Sequence, residues 1–149
     1  MVRSVKISTK GRYALRVMLD LAQRRDEGFI SLKDISKRQD ISKKYLEQIV
    51  PALSKAGMLV ANRGFLGGYR LADTPDKYTV GEILRLTEGS LAPIACLERE
   101  PNDCPHCGEC ITLSMWQGLY GVITEYLNGI TLQDMLDKYK ESGNFDYVI

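Results

Sequence analysis

Residues Ser31 to Leu71 read SLKDISKRQDISKKYLEQIVPALSKAGMLVANRGFLGGYRL, and their order decides the fold. Ser31 with Asp34 three positions on is a helix-opening capping pair, and Leu32 and Ile35 give that helix an apolar side. Arg38, Gln39 and Asp40 supply a tight turn. Ser42 opens a second helix in which Leu46, Ile49, Val50 and Leu53 recur at helical spacing, so one face is committed to a core. The opposite face carries Lys43, Lys44, Glu47 and Gln48. By itself such a face is only a solvated one, yet its residue types match what a DNA duplex offers: lysines for phosphates, Gln for an adenine edge, Glu for a cytosine amino group. Pro51 removes a helical hydrogen bond and is expected to kink or end the helix near Val50, which leaves Ser42 to Ile49 as its readable part.

The segment that follows raises the DNA reading above the bland one. From Leu59 to Leu71 two short strands flank a turn whose glycines permit positive φ, and Arg63 sits at its shoulder, where an arginine can enter a minor groove. Two capped helices followed by a basic hairpin spell a winged helix-turn-helix. The expected fold class is therefore mostly α with a small β-hairpin wing.

Charge supports this division. Residues 1–80 hold 16 Lys and Arg against 8 Asp and Glu, a net of +8, whereas residues 81–149 hold 4 against 11, a net of −7. A basic amino-terminal half beside an acidic remainder is the pattern of a region that meets phosphates joined to one that does not. The expected organisation is a DNA-binding domain over 1–80 and an effector and dimerisation region over 81–149, in a chain long enough for one good core. No catalytic constellation competes: His106 is the single histidine, and no nucleotide-binding loop or acid-base carboxylate pair is evident. The start shows no signal peptide and no apolar run approaches a membrane span, so a cytoplasmic location is expected.

The remaining elements read from the same rules. Thr9 to about Gln23 is an opening helix with Ala14, Val17, Met18 and Leu21 on one face, and Thr79 with Glu82 opens a helix carrying Val80, Ile83, Leu84 and Leu86 that stops near Gly89. A longer helix over about 112–128 carries Trp116, Leu119, Tyr120, Ile123, Tyr126 and Leu127 in a stripe too rich for a lone surface helix, and it is expected to build a homodimer. Thr131 with Asp134 caps a last short helix, followed by a tail over 141–149.

All four cysteines, Cys96, Cys104, Cys107 and Cys110, fall within fifteen positions in the loop 96–110, together with His106. Nothing indicates secretion, so a disulfide framework is disfavoured and clustered thiolates point to a soft or borderline metal. An iron-sulfur cluster is favoured, with zinc, or no cofactor and free redox-active thiols, as the alternatives. The spacing matches neither a pair of zinc-ribbon knuckles nor a ferredoxin run.

Four further motifs are Ile7 to Ala14 (ISTKGRYA), Tyr45-Leu46-Glu47-Gln48, Arg63-Gly64 with Gly67-Gly68-Tyr69, and Gly89-Ser90-Leu91-Ala92-Pro93. Through them nearly the whole chain resembles the IscR/NsrR/CymR-type family of bacterial winged helix-turn-helix transcription regulators. The resemblance implies a homodimer in which the long helix crosses its partner's, with a recognition helix in each major groove and wings in the minor groove. DNA-facing residues are then Lys43, Lys44, Tyr45, Glu47, Gln48 and Arg63, with Arg12 on the opening helix. In the IscR branch three cysteines ligate a [2Fe-2S] cluster, the last two five residues apart. Cys104 and Cys110 reproduce that gap and Cys96 matches the first ligand, although its own gap is longer. The family's histidine ligand corresponds to Leu113, which cannot bind a metal, so Cys107 or His106 must substitute or the fourth ligand comes from elsewhere. The partner-subunit aspartate used by NsrR-like proteins corresponds to Arg12. The resemblance leaves the cluster type open, with [2Fe-2S] expected ahead of [4Fe-4S].

The last four residues, Asp146-Tyr147-Val148-Ile149, resemble the tail that some serine acetyltransferases insert into cysteine synthase. A terminal isoleucine offers an α-carboxylate to an amino-acid pocket, and Tyr and Val add apolar contact along an extended peptide. The expectation is a homodimeric, sequence-specific transcription regulator, a repressor rather than an activator, that senses iron-sulfur, redox or cysteine status, with cysteine synthase as a candidate partner. The rival from another class is a metal-binding protein-interaction module with a degenerate DNA-binding domain.

Overall fold

The computed structural model describes residues 7–99, 101–102, 105–106 and 108–143. Within them, helices α1 (Thr9–Gln23), α2 (Leu32–Gln39) and α3 (Lys43–Lys55) precede an antiparallel hairpin of β1 (Leu59–Asn62) and β2 (Gly68–Leu71), and α4 (Val80–Glu88), α5 (Leu113–Asn128) and α6 (Leu132–Glu141) follow. This is a winged helix-turn-helix with three further helices.

Five of the six α-helices begin where a hydroxyl satisfies a free backbone N–H, whereas α5 starts after Thr112 with no side-chain cap. Ser8 Oγ accepts from Gly11 N (3.2 Å), Ser31 Oγ from Asp34 N (3.1 Å), Ser42 Oγ from Tyr45 N (3.1 Å) and Thr79 Oγ1 from Glu82 N (3.1 Å). At α6 the box closes in both directions, Asp134 N to Thr131 Oγ1 (3.0 Å) and Thr131 N to Asp134 Oδ2 (2.9 Å). The starts of α4 and α6 are also stitched back to back, since Val80 N donates to Ile130 O (2.9 Å) and Leu132 N to Tyr78 O (3.0 Å).

The structure corrects two expectations. Arg38 and Gln39 are not turn residues; α2 runs through Gln39, and the chain reverses at Asp40, whose left-handed backbone (φ 53°, ψ 48°) caps it. Nor does α3 end near Val50: it continues through Pro51 to Lys55. Pro51 and Glu47, whose carbonyl loses its helical partner, both lie on the exposed side, where that carbonyl is open to solvent, while burial of Ile49, Val50 and Leu53 holds the flanking turns.

The main core gathers Ala14, Val17, Met18 and Leu21 of α1, Ile35 of α2, and Leu46, Ile49, Val50 and Leu53 of α3, with Ile83 of α4 and Leu132 of α6, so it draws on residues on both sides of position 80. Leu32 is only half-buried against it. A second cluster joins Val80, Leu84 and Leu91 to the inner edge of α5 through Tyr120, Ile123 and Leu127. No residue of α5 is fully buried, and Met115, Leu119, Val122 and Tyr126 are exposed.

The wing is anchored at its base. Leu59 pairs with Leu71, both buried, and Ile30 adds a short third rung through reciprocal 2.8 Å bonds with Tyr69. Gly68 is required there: a Cβ would collide with the Ile30 carbonyl, and its φ of 155° is rare for other residues.

Candidate nucleic-acid interface and cysteine loop

Helix α3 projects Lys43, Lys44, Glu47 and Gln48 into solvent on one face while its other face is locked into the core. Tyr45 is half-buried, its ring meeting Tyr13 edge-on at 5.2 Å. Arg63 is exposed at the start of the wing loop, and Arg12 is exposed on α1. Between the carboxy-terminal half of α3 and the wing lies an open cleft of about 420 Å³ bordered by Ser54, Lys55, Asn62 and Arg63. Two cations and two neutral donors along a cleft between a helix and a wing suit a phosphate backbone passing from one groove to the next.

A polar joint that sequence reasoning missed holds the end of α2 against α1, just before α3. Asp20, only 1 % exposed on the core side of α1, accepts Arg38 Nε (3.0 Å), Arg38 Nη2 (2.8 Å) and Gln39 Nε2 (3.1 Å), with Arg24 at 3.9 Å. The hydrogen bond to Asp20 holds the Arg38 guanidinium's pKa above its ordinary value against the effect of burial. Arg16 then reaches Gln39, donating to its side chain (3.3 Å) and to its backbone carbonyl, and its guanidinium lies 5.3 Å from the Tyr13 ring centroid. Contacts therefore run from Asp20 to Arg38 and Gln39 at the end of α2, back to Arg16 and Tyr13 on α1, and from Tyr13 to Tyr45 in the first turn of α3. The available signal was an acidic residue on the apolar stripe of α1, although Arg24 four positions on offers a local partner that masks it.

A second joint links α1 to the segment leading into the cysteine loop. Glu88, at the end of α4, accepts from Ser8 N (2.9 Å) and Ser8 Oγ (2.6 Å). Gly11 permits this closeness, because a Cβ there would meet the Glu88 carboxylate.

In the loop, Cys96 is half-buried in a short 3-10 turn, Ala95–Leu97, whereas His106 and Cys110 are exposed. Cys110 Sγ lies 3.4 Å from Thr112 Oγ1 just before α5, and hydrogen bonds from the Thr112 side chain and then its backbone hold the thiol's pKa below its ordinary value. Leu113 is the first residue of α5 and its N–H donates to Cys110 O (3.3 Å). Among the described residues no three His, Cys, Asp or Glu side chains gather into a metal site. Cys104 and Cys107 lie outside the described residues, as do Asp146, Tyr147, Val148 and Ile149 of the tail. Two thiols and an imidazole on one loop are nonetheless soft donors of the kind that bind iron-sulfur clusters or zinc.

A capped helix-turn-helix followed by a basic wing defines a DNA-binding transcription regulator. Residues 7–138 match the Rrf2 family, described as iron-dependent transcriptional regulators, and the chain belongs to that family. It is similar to the HTH-type transcriptional regulator CymR of Bacillus subtilis, with 40 % identity over 131 residues, covering 88 % of this chain and 89 % of that protein. The solved structure of CymR, titled the global cysteine regulator of B. subtilis, superposes with a TM-score of 0.73 at 38 % identity, covering 89 % of this chain and 97 % of that one. The structure of T. potens IscR gives a TM-score of 0.73 at 40 % identity, covering 92 % of this chain and 90 % of that one. No described helix is long and apolar enough to cross a membrane.

Proposed function

We propose that this regulator acts as a homodimeric repressor whose grip on its operator responds to an iron-sulfur cluster in the loop 96–110. The observation that carries the reading is the exposed basic face of α3 beside Arg63, joined through the Ser8–Glu88 contact to the segment that leads into the cysteines. Lys43 and Lys44 meet phosphates, Glu47 and Gln48 read base edges, and Arg63 meets the phosphate backbone at the edge of the minor groove that the wing enters, with Tyr45 held against Tyr13 and Arg12 adding charge from α1. The exposed apolar residues of α5 supply the dimer face, because Leu119, Val122 and Tyr126 have no cover within one subunit. Cys96, Cys104 and Cys110 hold a [2Fe-2S] cluster, with Cys107 or His106 completing the set. Bound there, the cluster supplies a centre whose oxidation or loss alters the loop's structure and charge.

Anaerobic purification with a visible spectrum and iron, sulfide and zinc analysis tests the cofactor. Substitution of Cys96, Cys104 or Cys110 by Ala is expected to abolish the spectrum, and Cys107→Ala abolishes it only if that thiol is a ligand. A colourless, iron-free protein under strict anaerobiosis would overturn the cluster. The similarity to CymR, a global cysteine regulator, favours one second reading, a cysteine-responsive repressor, and the resemblance of Asp146–Ile149 to a serine acetyltransferase tail adds cysteine synthase as its partner. A synthetic peptide of that sequence should then inhibit the synthase competitively against O-acetylserine, and absence of inhibition at high peptide concentration would remove this reading.

A further inference from the structure

The wing ends in two large apolar side chains that the protein leaves uncovered. The Gly67 N–H donates to Gly64 O (3.0 Å), so Gly64-Phe65-Leu66-Gly67 form a β-turn with Phe65 and Leu66 at its two corners. Corners of surface turns ordinarily carry Gly, Pro, Asn, Asp or Ser. Here Phe65 is 102 % exposed and Leu66 81 %, so neither packs on its own hairpin. The turn's shape is set by glycines instead: Gly64 has a φ of 118°, and a Cβ on Gly67 would strike the Asn62 carbonyl. The apolar pair therefore adds nothing to the fold, and something outside the subunit must account for it.

Its position indicates what that is. The strand segment from the buried Leu59–Leu71 pair to Asn62–Gly68 spans roughly 10 Å, and the turn lies beyond it, on the far side of the Lys55 and Arg63 cleft from α3. With α3 in a major groove and a phosphate backbone along that cleft, the turn falls in the adjoining minor groove. Large apolar side chains delivered there wedge between base pairs, partly unstack one step and bend the duplex toward the major groove. Pyrimidine–purine steps deform most cheaply.

We propose that Phe65 and Leu66 form a minor-groove wedge that opens a pyrimidine–purine step and bends operator DNA. This gives the regulator a shape-dependent preference at a position where it makes no hydrogen bond to a base. The inference rests on the DNA-binding pose proposed above. Arg63 attracts the backbone, and Phe65 and Leu66 read the deformability of the step.

The test uses the full-length protein and a duplex that the wild type selects from a random-sequence pool. End-labelled fluorescence transfer should report a bend in the wild-type complex within roughly 20–90°, and 2-aminopurine at the step under the wing should brighten on binding. Phe65→Ala and Leu66→Ala, which remove exposed side chains and leave the fold intact, should flatten the bend, abolish the brightening and weaken binding about tenfold, as losing one stacking contact does. Their salt dependence should match the wild type, whereas Arg63→Ala should lower the salt slope by about one. Replacing the step with a stiff A-tract should weaken the wild type and spare Phe65→Ala. Unchanged bend, brightness and affinity in both variants would overturn the wedge while leaving the DNA-binding reading intact. Failure of the wild type to select any duplex would overturn both. Co-sedimentation with anionic vesicles that depends on Phe65, with DNA bending unaltered, would assign the turn to a membrane surface and also refute the wedge.

Discussion

Replacing Asp20 by Asn tests whether the buried joint between α1 and α2 sets the recognition helix. Asp20 takes three hydrogen bonds, two of them from the Arg38 guanidinium. Severing a buried ion pair costs about 3–5 kcal/mol when the surviving charge stays buried. Arg38 is 21 % exposed at its side chain, so its guanidinium can turn partly to water, and the expected loss sits at the lower end, about 3 kcal/mol. In a chain of this size each kcal/mol moves the melting temperature by roughly 2–4 °C, so circular dichroism should show a fall of roughly 6–12 °C. Asn keeps an acceptor for Gln39 and nearly the same volume, and it removes the charge together with the acceptor of Arg38 Nη2. A second readout separates stability from orientation. Fluorescence anisotropy well below the melting transition should show weaker operator binding, because Gln39 and Asp40 lead directly into the Ser42 cap. A melting temperature within 2 °C of wild type would refute the energetic argument, and a large fall with unaltered affinity would refute the orienting role.

Pro51→Ala restores a hydrogen bond on the solvent side of α3 and loosens the unfolded chain, two opposed effects of similar size, so chemical denaturation should show a change below about 1 kcal/mol. A change above 2 kcal/mol would mean that the proline distorts the helix. Leu132→Ala empties a fully buried site of the main core and should cost about 2–5 kcal/mol, which makes α6 part of the platform that supports α3; a loss below 1 kcal/mol would detach it. In the metal-free protein Cys110 should alkylate with a pH midpoint below that of an ordinary thiol, because Thr112 stabilises the thiolate, and Thr112→Val should move the midpoint up. Identical profiles for the two proteins, followed by mass spectrometry of the labelled peptide, would dismiss that hydrogen bond.

Much of the fold is legible in short-range rules because they act through local chemistry. Ser31, Ser42, Thr79 and Thr131 each cap the helix expected of them, and the stripes of α1 and α3 are the buried ones. The failures arise where tertiary context reverses a local preference. Pro51 removes a helical bond, but it does so on the exposed face of α3, where the local rule for an ended helix does not hold. Arg38 and Gln39 look like turn residues until Asp20, eighteen and nineteen positions earlier, is brought beside them. Spacing alone does not reveal that Leu132 enters the main core, since the pairing of Val80 with Ile130 and Leu132 with Tyr78 is long-range. Of the interface, the outward face of α3 and the place of Arg63 follow directly from periodicity and turn chemistry. The apolar wing tip does not, because Phe and Leu in a loop ordinarily find a surface of their own protein.

The most direct measurement of the central claim is anisotropy on a selected operator and its single-base variants, at two salt concentrations, with the wild type, Arg63→Ala and Glu47→Ala. Loss of Arg63 should weaken every duplex alike and flatten the salt dependence, since a backbone-directed cation is blind to sequence. Loss of Glu47 should leave the salt dependence alone and relax preference at one base pair by roughly 1–3 kcal/mol, the size of one base-edge contact. Equal affinities and equal base preferences for all three proteins would contradict the assignment of α3 and the wing as the reading surface.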